Sequence, residues 1–277
     1  MKKNNINLIL KELKHKKMVA LVAPSFVADF EYPKILSQLE KLGFDKIVEL
    51  TFGAKLVNRE YHKILKSSKG LVIATVCPGI VEVVNKNYPK YKKNLIRVDS
   101  PMIAMAKICK KIYPKHKTVF LSPCDYKKIE ANKSKYVDYV IDYEQLREIF
   151  KEKKLNNIKP SKKIFDKFYN DYTKIYPLAG GLSKTAHLND VIKKNEIKHI
   201  DGIKKVMQFL DKPDKKIKFL DVNFCVGGCI GGSHTCNLSI AKKKKRIIAY
   251  LNKAKRERIP LSRRGTFERA EGLKFTY

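Results

Sequence analysis

Residues 218–232 read Lys218-Phe219-Leu220-Asp221-Val222-Asn223-Phe224-Cys225-Val226-Gly227-Gly228-Cys229-Ile230-Gly231-Gly232. The first five form the short, mostly apolar run of a buried strand, and a glycine-rich turn with two cysteines follows. Two cysteines four positions apart, with glycine between and after them, let a backbone wrap closely round a bulky anion. Thiolates then bind metal while nearby N–H groups face inorganic sulfide. A zinc site more often shows a two-residue gap with His partners, and the stretch carries no complete zinc signature. The competing reading is a glycine-rich turn with two buried free thiols.

Upstream of this stretch, apolar runs alternate with amphipathic ones. Strands are expected at Met18–Ala23, Lys46–Leu50, Leu71–Thr75, Leu95–Val98, Thr118–Ser122, Tyr139–Ile141 and Lys218–Val222. Helices are expected near Val27–Leu42, Asn58–Ser67, Ile80–Asn87, Met102–Ile112, Tyr143–Lys151, Ile203–Leu210 and Ser239–Arg256. This alternation predicts an α/β fold of two lobes, about 18–115 and 116–240, within a domain spanning 1–250. Each lobe is expected to hold a mostly parallel sheet flanked by helices. Residues 251–277 read as a basic C-terminal tail, and Glu152–Lys163, with Pro160, as a surface connection. Open α/β sheets collect ligands at the carboxyl ends of their strands. Ala23-Pro24-Ser25, Cys77-Pro78-Gly79, Pro123-Cys124 and Cys225 all follow expected strands, so these turns are expected to converge on one crevice between the lobes.

The chain has 277 residues, 44% of them hydrophobic, which supplies a core and excludes general disorder. No apolar run approaches the roughly 18–20 residues of a membrane helix. The basic start has only Ile6–Leu10 as an apolar stretch and no small-residue cleavage site, so a cytoplasmic location is expected. Sixty Lys+Arg against 27 Asp+Glu leave a net charge of +33. That surface favours an acidic partner, but a general lysine bias produces the same picture. Binding of nucleic acid rests on charge alone, with no recognition motif. The six cysteines, in a chain neither short nor marked for secretion, favour metal or cluster ligation over a disulfide framework.

Two more stretches add to the first: Ser122-Pro123-Cys124-Asp125-Tyr126-Lys127-Lys128-Ile129-Glu130 and Ala74-Thr75-Val76-Cys77-Pro78-Gly79. If a helix begins near Cys124, Lys127 lies one turn on and aims an ammonium at whatever the cysteines hold. In order and spacing the three stretches resemble the cysteine motifs of the [FeFe] hydrogenase catalytic domain, in a minimal form without accessory ferredoxin domains. Val22-Ala23-Pro24-Ser25, Leu42–Lys46, Ser100-Pro101-Met102 and Tyr176–Gly181 resemble further family segments in the same order.

The resemblance implies a [4Fe–4S] cluster held by Cys77, Cys124, Cys225 and Cys229. It also implies a diiron subcluster with CO and CN ligands, the two together forming the H-cluster. Lys127 and Ser25 then match the donors to cyanide, and Ala23 and Pro24 match backbone beside the diiron bridge. The implied partners are an acidic ferredoxin or similar carrier, hydrogenase maturation proteins, H2 and protons.

Where the catalytic members carry a second, proton-relaying cysteine, this chain has Val76, which has no proton to give. Ser122 and Asn223 stand at methionine positions, Pro177 at a glycine position, and Leu56–Leu65 offers Glu60 but little else acidic. These departures resemble the divergent and sensory branches. His234 and Cys236 are candidate replacement proton donors or a surface turn. Cys109 reads as a buried thiol, and Lys242–Arg246 as a solvated helix face or a docking patch. The readings carried forward are a ferredoxin-dependent hydrogenase, a slow-turnover H2 or redox sensor, and a [4Fe–4S] electron-transfer or assembly protein without the diiron site.

Overall fold

The computed structural model describes residues 3, 5–161, 163–169 and 171–277. Met1, Lys2 and Asn4 of the basic start, and Lys162 of the expected surface connection, lie outside them. In chain order the elements are α1 (Ile6–Leu13), β1 (Met18–Val22), α2 (Lys34–Leu42), β2 (Lys46–Glu49), α3 (Thr51–Ser67), β3 (Val72–Ile73) and α4 (Pro78–Asn87). Then come α5 (Pro101–Ile112), β4 (Lys117–Ser122), α6 (Asp125–Lys133), β5 (Tyr139–Asp142), α7 (Tyr143–Glu152) and α8 (Gly181–Thr185). The chain closes with β6 (Ile197–Asp201), α9 (Ile203–Asp211), β7 (Phe219–Asn223) and α10 (Ile240–Ala254).

Side chains alternate along each strand and sort the core by face. Val19 and Leu21 of β1 enter a central cluster with α3 and α5, which also takes Phe219 of β7. Met18, Ala20 and Val22 point the other way, into a cluster with α1, α2, α7 and α10. Ile73, Leu220 and Val222 pack against α4 and α9. Both faces of both sheets are therefore covered, which is the condition under which parallel strands are stable.

The strands form a four-stranded parallel sheet, ordered β2-β1-β4-β5, and a three-stranded parallel sheet, ordered β3-β7-β6. The expected two-lobe α/β architecture is present. Both sheets draw strands from either side of residue 115, so they interleave along the chain. β6, Ile197-Lys198-His199-Ile200-Asp201, was not among the expected strands, because its apolar content is low and its middle is exposed. Leu95–Val98 was expected as a strand. It makes only isolated bridges, Ile73 with Leu95 and Val98 with Thr276.

Several boundaries follow local chemistry. The helix expected from Val27 begins at Lys34, after Pro33, whose ring prevents continuation from the 3-10 turn Pro24–Ala28. α3 begins at Thr51, seven residues earlier than expected. α7 opens with a capping box between Asp142 and Gln145. Residues 251–277, expected as a peripheral tail, return to the body of the protein. Ala270 and Phe275 are buried in the central cluster, and Asp99 N–H donates to Phe275 O at 2.8 Å.

Asp138 sits where β5 meets β4 and accepts from Thr118 N–H at 2.8 Å and Lys110 Nζ at 2.5 Å. Burial pushes its carboxyl up, but Lys110 and the Thr118 amide outweigh that and hold it below the ordinary 3.8. Asp138→Ala is expected to cost about 1–3 kcal/mol, because it leaves the amide and the ammonium unpaired. A depressed carboxylate contributes stability above its unfolded pKa and loses it as pH falls. The gap between wild type and variant in urea midpoint should therefore narrow on acidification; a gap independent of pH contradicts this account.

Candidate functional site

Four strand ends deliver the side chains singled out in the sequence. After β1, Ala23 is extended and a 3-10 turn begins at Pro24, burying Ser25 completely. After β3, Cys77 is the residue before α4, and after β4, Cys124 is the residue before α6. Lys127 then lies in the first turn of α6, as the sequence predicts. After β7 the chain passes Phe224 and enters the Cys225–Gly232 turn.

That turn is built by close approach of backbones. Gly227 and Gly228 hold φ of 83° and 76°, conformations that side chains rarely adopt. Gly227 N–H donates to Asp201 Oδ2 at 2.5 Å, and Cys229 N–H donates to Pro177 O at 2.8 Å. A Cβ on Gly228 would stand 2.4 Å from Pro177 O, and one on Gly232 would stand 2.4 Å from Pro123 O. The glycines therefore let three loops nest, and the aromatic and glycine-rich segment 176–181 serves as their anchor.

The nested loops enclose a cavity of about 70 Å3 whose lining includes Ala23, Pro24, Ser25, Val76, Lys127 and Cys229. Asn223 and Pro177 also line it; Ser122 instead turns back, its Oγ donating to Cys124 O at 2.8 Å. Lys127 donates to Val76 O at 3.1 Å and pairs with Glu130 at 2.5 Å. Burial alone would pull its ammonium down. Glu130 and the nearby Cys229 and Cys124 reverse the sign and leave its pKa raised, so Lys127 is a cation at neutral pH. Ser25 Oγ shares a hydrogen bond of 2.9 Å with Tyr143 OH. Sequence reasoning missed Tyr143 and Glu130 as partners. Glu130 was within reach, one helical turn after Lys127 in the same quoted stretch, whereas Tyr143 is distant in sequence and carried no signal.

All four candidate ligand cysteines are free, partly buried thiols within electrostatic reach of one another. Burial, aided by Cys77, pushes Cys124 up to about 11. Burial, with Cys124 and Cys77 nearby, takes Cys225 to about 12 and drives Cys229 higher still. Cys236 and His234 lie away from the cavity. Cys236 N–H donates to Asp29 Oδ1 at 2.6 Å, and its thiol donates to Ala28 O at 3.1 Å. His234 lies 2.7 Å from Asp125 Oδ1 and 3.3 Å from Glu144 Oε2. Cys109 is fully buried on α5, as expected. Lys243, expected on a solvated face, is buried and donates to Thr235 Oγ1 at 2.8 Å.

The expected [4Fe–4S] cluster with its diiron subcluster requires correction. Among the described residues, the group whose ligand atoms lie within 4.8 Å of one another is Asp142, Glu144 and His234, with no cysteine in it. Of the two expected cyanide donors, Ser25 shares a hydrogen bond with Tyr143, and Lys127 spends two of its three N–H groups on Val76 O and Glu130. No step is derived through either group.

Gly228→Ala should destabilise the protein by about 2 kcal/mol or more, since it combines backbone strain with a clash against Pro177 O. An unchanged urea midpoint would show that the nesting of the loops is not a constraint.

Residues 16–233 match the family model described as the iron only hydrogenase large subunit, C-terminal domain. Iron hydrogenase 1 from Clostridium pasteurianum is 25% identical over 255 residues, covering 72% of this chain and 44% of the relative; the chain thus spans less than half of that relative's length. A solved variant of the [FeFe]-hydrogenase HydA1 from Chlamydomonas reinhardtii aligns with a TM-score of 0.68 at 16% identity, over 95% of this chain and 90% of the other. The structure described as stepwise H-cluster assembly in HydA(deltaEFG) gives the same TM-score, identity and coverage. At that identity the structural likeness is one of fold. The sequence match, by contrast, covers most of the chain, so the protein belongs to the [FeFe] hydrogenase large-subunit family through its C-terminal domain.

Proposed function

We propose that this chain is a redox-responsive member of the hydrogenase family, closer to a sensor than to an enzyme that turns over H2. The responding groups are the thiols of Cys77, Cys124, Cys225 and Cys229. The observation that carries the reading is Val76. It lines the small cavity beside Lys127 and Cys229, at the position where the resemblance calls for a proton-relaying thiol, and its carbonyl rather than its side chain engages Lys127. An isopropyl group neither donates nor accepts a proton, so proton delivery at that wall has no carrier.

Two further observations support the reading. Ser25 and Lys127 have hydrogen-bond partners within the protein, and four free thiols lie on loops that backbone contacts hold together. The response is thiol–disulfide exchange with a small-molecule disulfide. Two protein thiols give up two electrons and two protons and form an S–S bond, and the small disulfide leaves as two thiols. An acidic redox carrier, of the ferredoxin kind, is the protein partner that the net charge of +33 favours, through steering that salt weakens.

The reading is tested on anaerobically purified full-length chain. Incubation with oxidised glutathione should remove reactive thiols in pairs, and dithiothreitol should restore them. H2 evolution from a reduced viologen should stay at background in the wild type. Hydrogen turnover well above background, or thiols indifferent to oxidised glutathione, overturns the proposal.

A further inference from the structure

α10 has two uses for its sides. Lys243, Ile247, Tyr250 and Ala254 are buried against the body of the protein. The adjoining stripe of Ile240, Lys244, Ile248, Leu251 and Lys255, spaced at helical intervals, borders a cleft of about 730 Å3. The opposite wall is the 172–181 segment, with Ile175 and Leu178, and Ile230 closes the cleft from the cysteine loop. Ile248 is 40% exposed and Tyr172 is 48% exposed. Single exposed apolar residues are ordinary, but here they are joined in one concavity.

The charged groups of the cleft are unequal. Lys184, Lys244 and Lys255 enter none of the ion pairs formed among the described residues. Asp201, the acidic residue of the lining, accepts from the Gly227 amide and keeps its charge, so the cleft holds three cations against one carboxylate. An apolar trough with an excess of lysine charge over a single carboxylate is complementary to an anion with a hydrocarbon tail.

We propose that this cleft binds a free aliphatic carboxylate of the fatty-acid class, its chain against the isoleucines and leucines and its head group among the lysines. Its volume lies within the ~300–1,000 Å3 of small-molecule pockets, and its shape is concave and mainly apolar. These features favour a compact amphiphile over the surface of a folded acidic protein, which would need a broader and flatter face. The position gives binding a consequence. The wall that carries Leu178 also carries Pro177, whose carbonyl accepts Cys229 N–H, so an occupant packs against the support of the thiol loop. The inference does not depend on the redox reading.

The test is isothermal titration calorimetry of the full chain with sodium dodecanoate below its micellar concentration. Saturable binding at one site is expected, with a dissociation constant of about 1–100 μM. The double variant Lys244→Glu/Lys255→Glu should weaken it about ten-fold or more, and Ile248→Asp should weaken it as well; all three residues are solvent-exposed, so folding is spared. Dodecylammonium should not compete. Absence of saturable binding, equal binding of dodecylammonium, or unchanged affinity in the double variant overturns the proposal. So does a polyglutamate peptide that binds the wild type where dodecanoate does not.

Discussion

Lys127 leaves α6, just beyond a strand of the four-stranded sheet, and donates to the carbonyl of Val76, just beyond a strand of the three-stranded sheet. A buried ammonium cannot stand alone, and Glu130, one turn along the same helix, supplies its counter-charge. The two sheets therefore meet across a polar contact that is internally satisfied. Around it the backbone contacts of Cys229 with Pro177, and the close approach of Gly232 to Pro123, leave little room for the loops to rearrange. The remaining features of the crevice follow from this arrangement: its small cavity, its partly buried thiols and the enclosure of Ser25.

The same arrangement separates family from chemistry. The sequence match over residues 16–233 and the overall fold are those of the hydrogenase domain. Ser25 and Lys127, which the family resemblance assigns to a bound diiron group, make hydrogen bonds within the protein to Tyr143, Val76 O and Glu130. A fold can retain its scaffold while its site changes use, because the packing that positions loops is distributed over the core and the chemistry rests on a few side chains. Val76, which lines the small cavity, brings an isopropyl group to it, and that group neither donates nor accepts a proton.

Much of the fold was legible from residues alone. Met18–Val22, Lys46–Glu49, Lys117–Ser122 and Phe219–Asn223 are apolar or β-branched runs ended by Pro, Gly or polar turns, and each was expected within a residue or two. β6 escaped because an edge strand with two exposed positions carries half the apolar signal of a central one. The basic end of the chain escaped for a different reason. Ala270 and Phe275 are isolated apolar residues in a polar stretch, and only the hydrogen bonds to Arg97 and Asp99 reveal where they return. At the site, the loops that carry the chemistry were visible as Cys-Pro and Gly-Gly turns. Their partners Tyr143, Pro177 and Asp201 were not, since pairings that span 26 to 118 residues leave no local pattern.

By itself the sequence determined the α/β class, the strand-end placement of the cysteines, the one-turn offset of Lys127 from Cys124, and the family. All of these are set by period, spacing and turn chemistry within short windows. Only the tertiary structure decided that Lys127 and Ser25 find hydrogen-bond partners within the protein and that the four thiols are partly buried. It alone decided, too, that His234 and Cys236 lie away from the cavity and that α10 borders an apolar cleft. Those are properties of distance and desolvation between segments remote in the chain, and no local sequence pattern carries them.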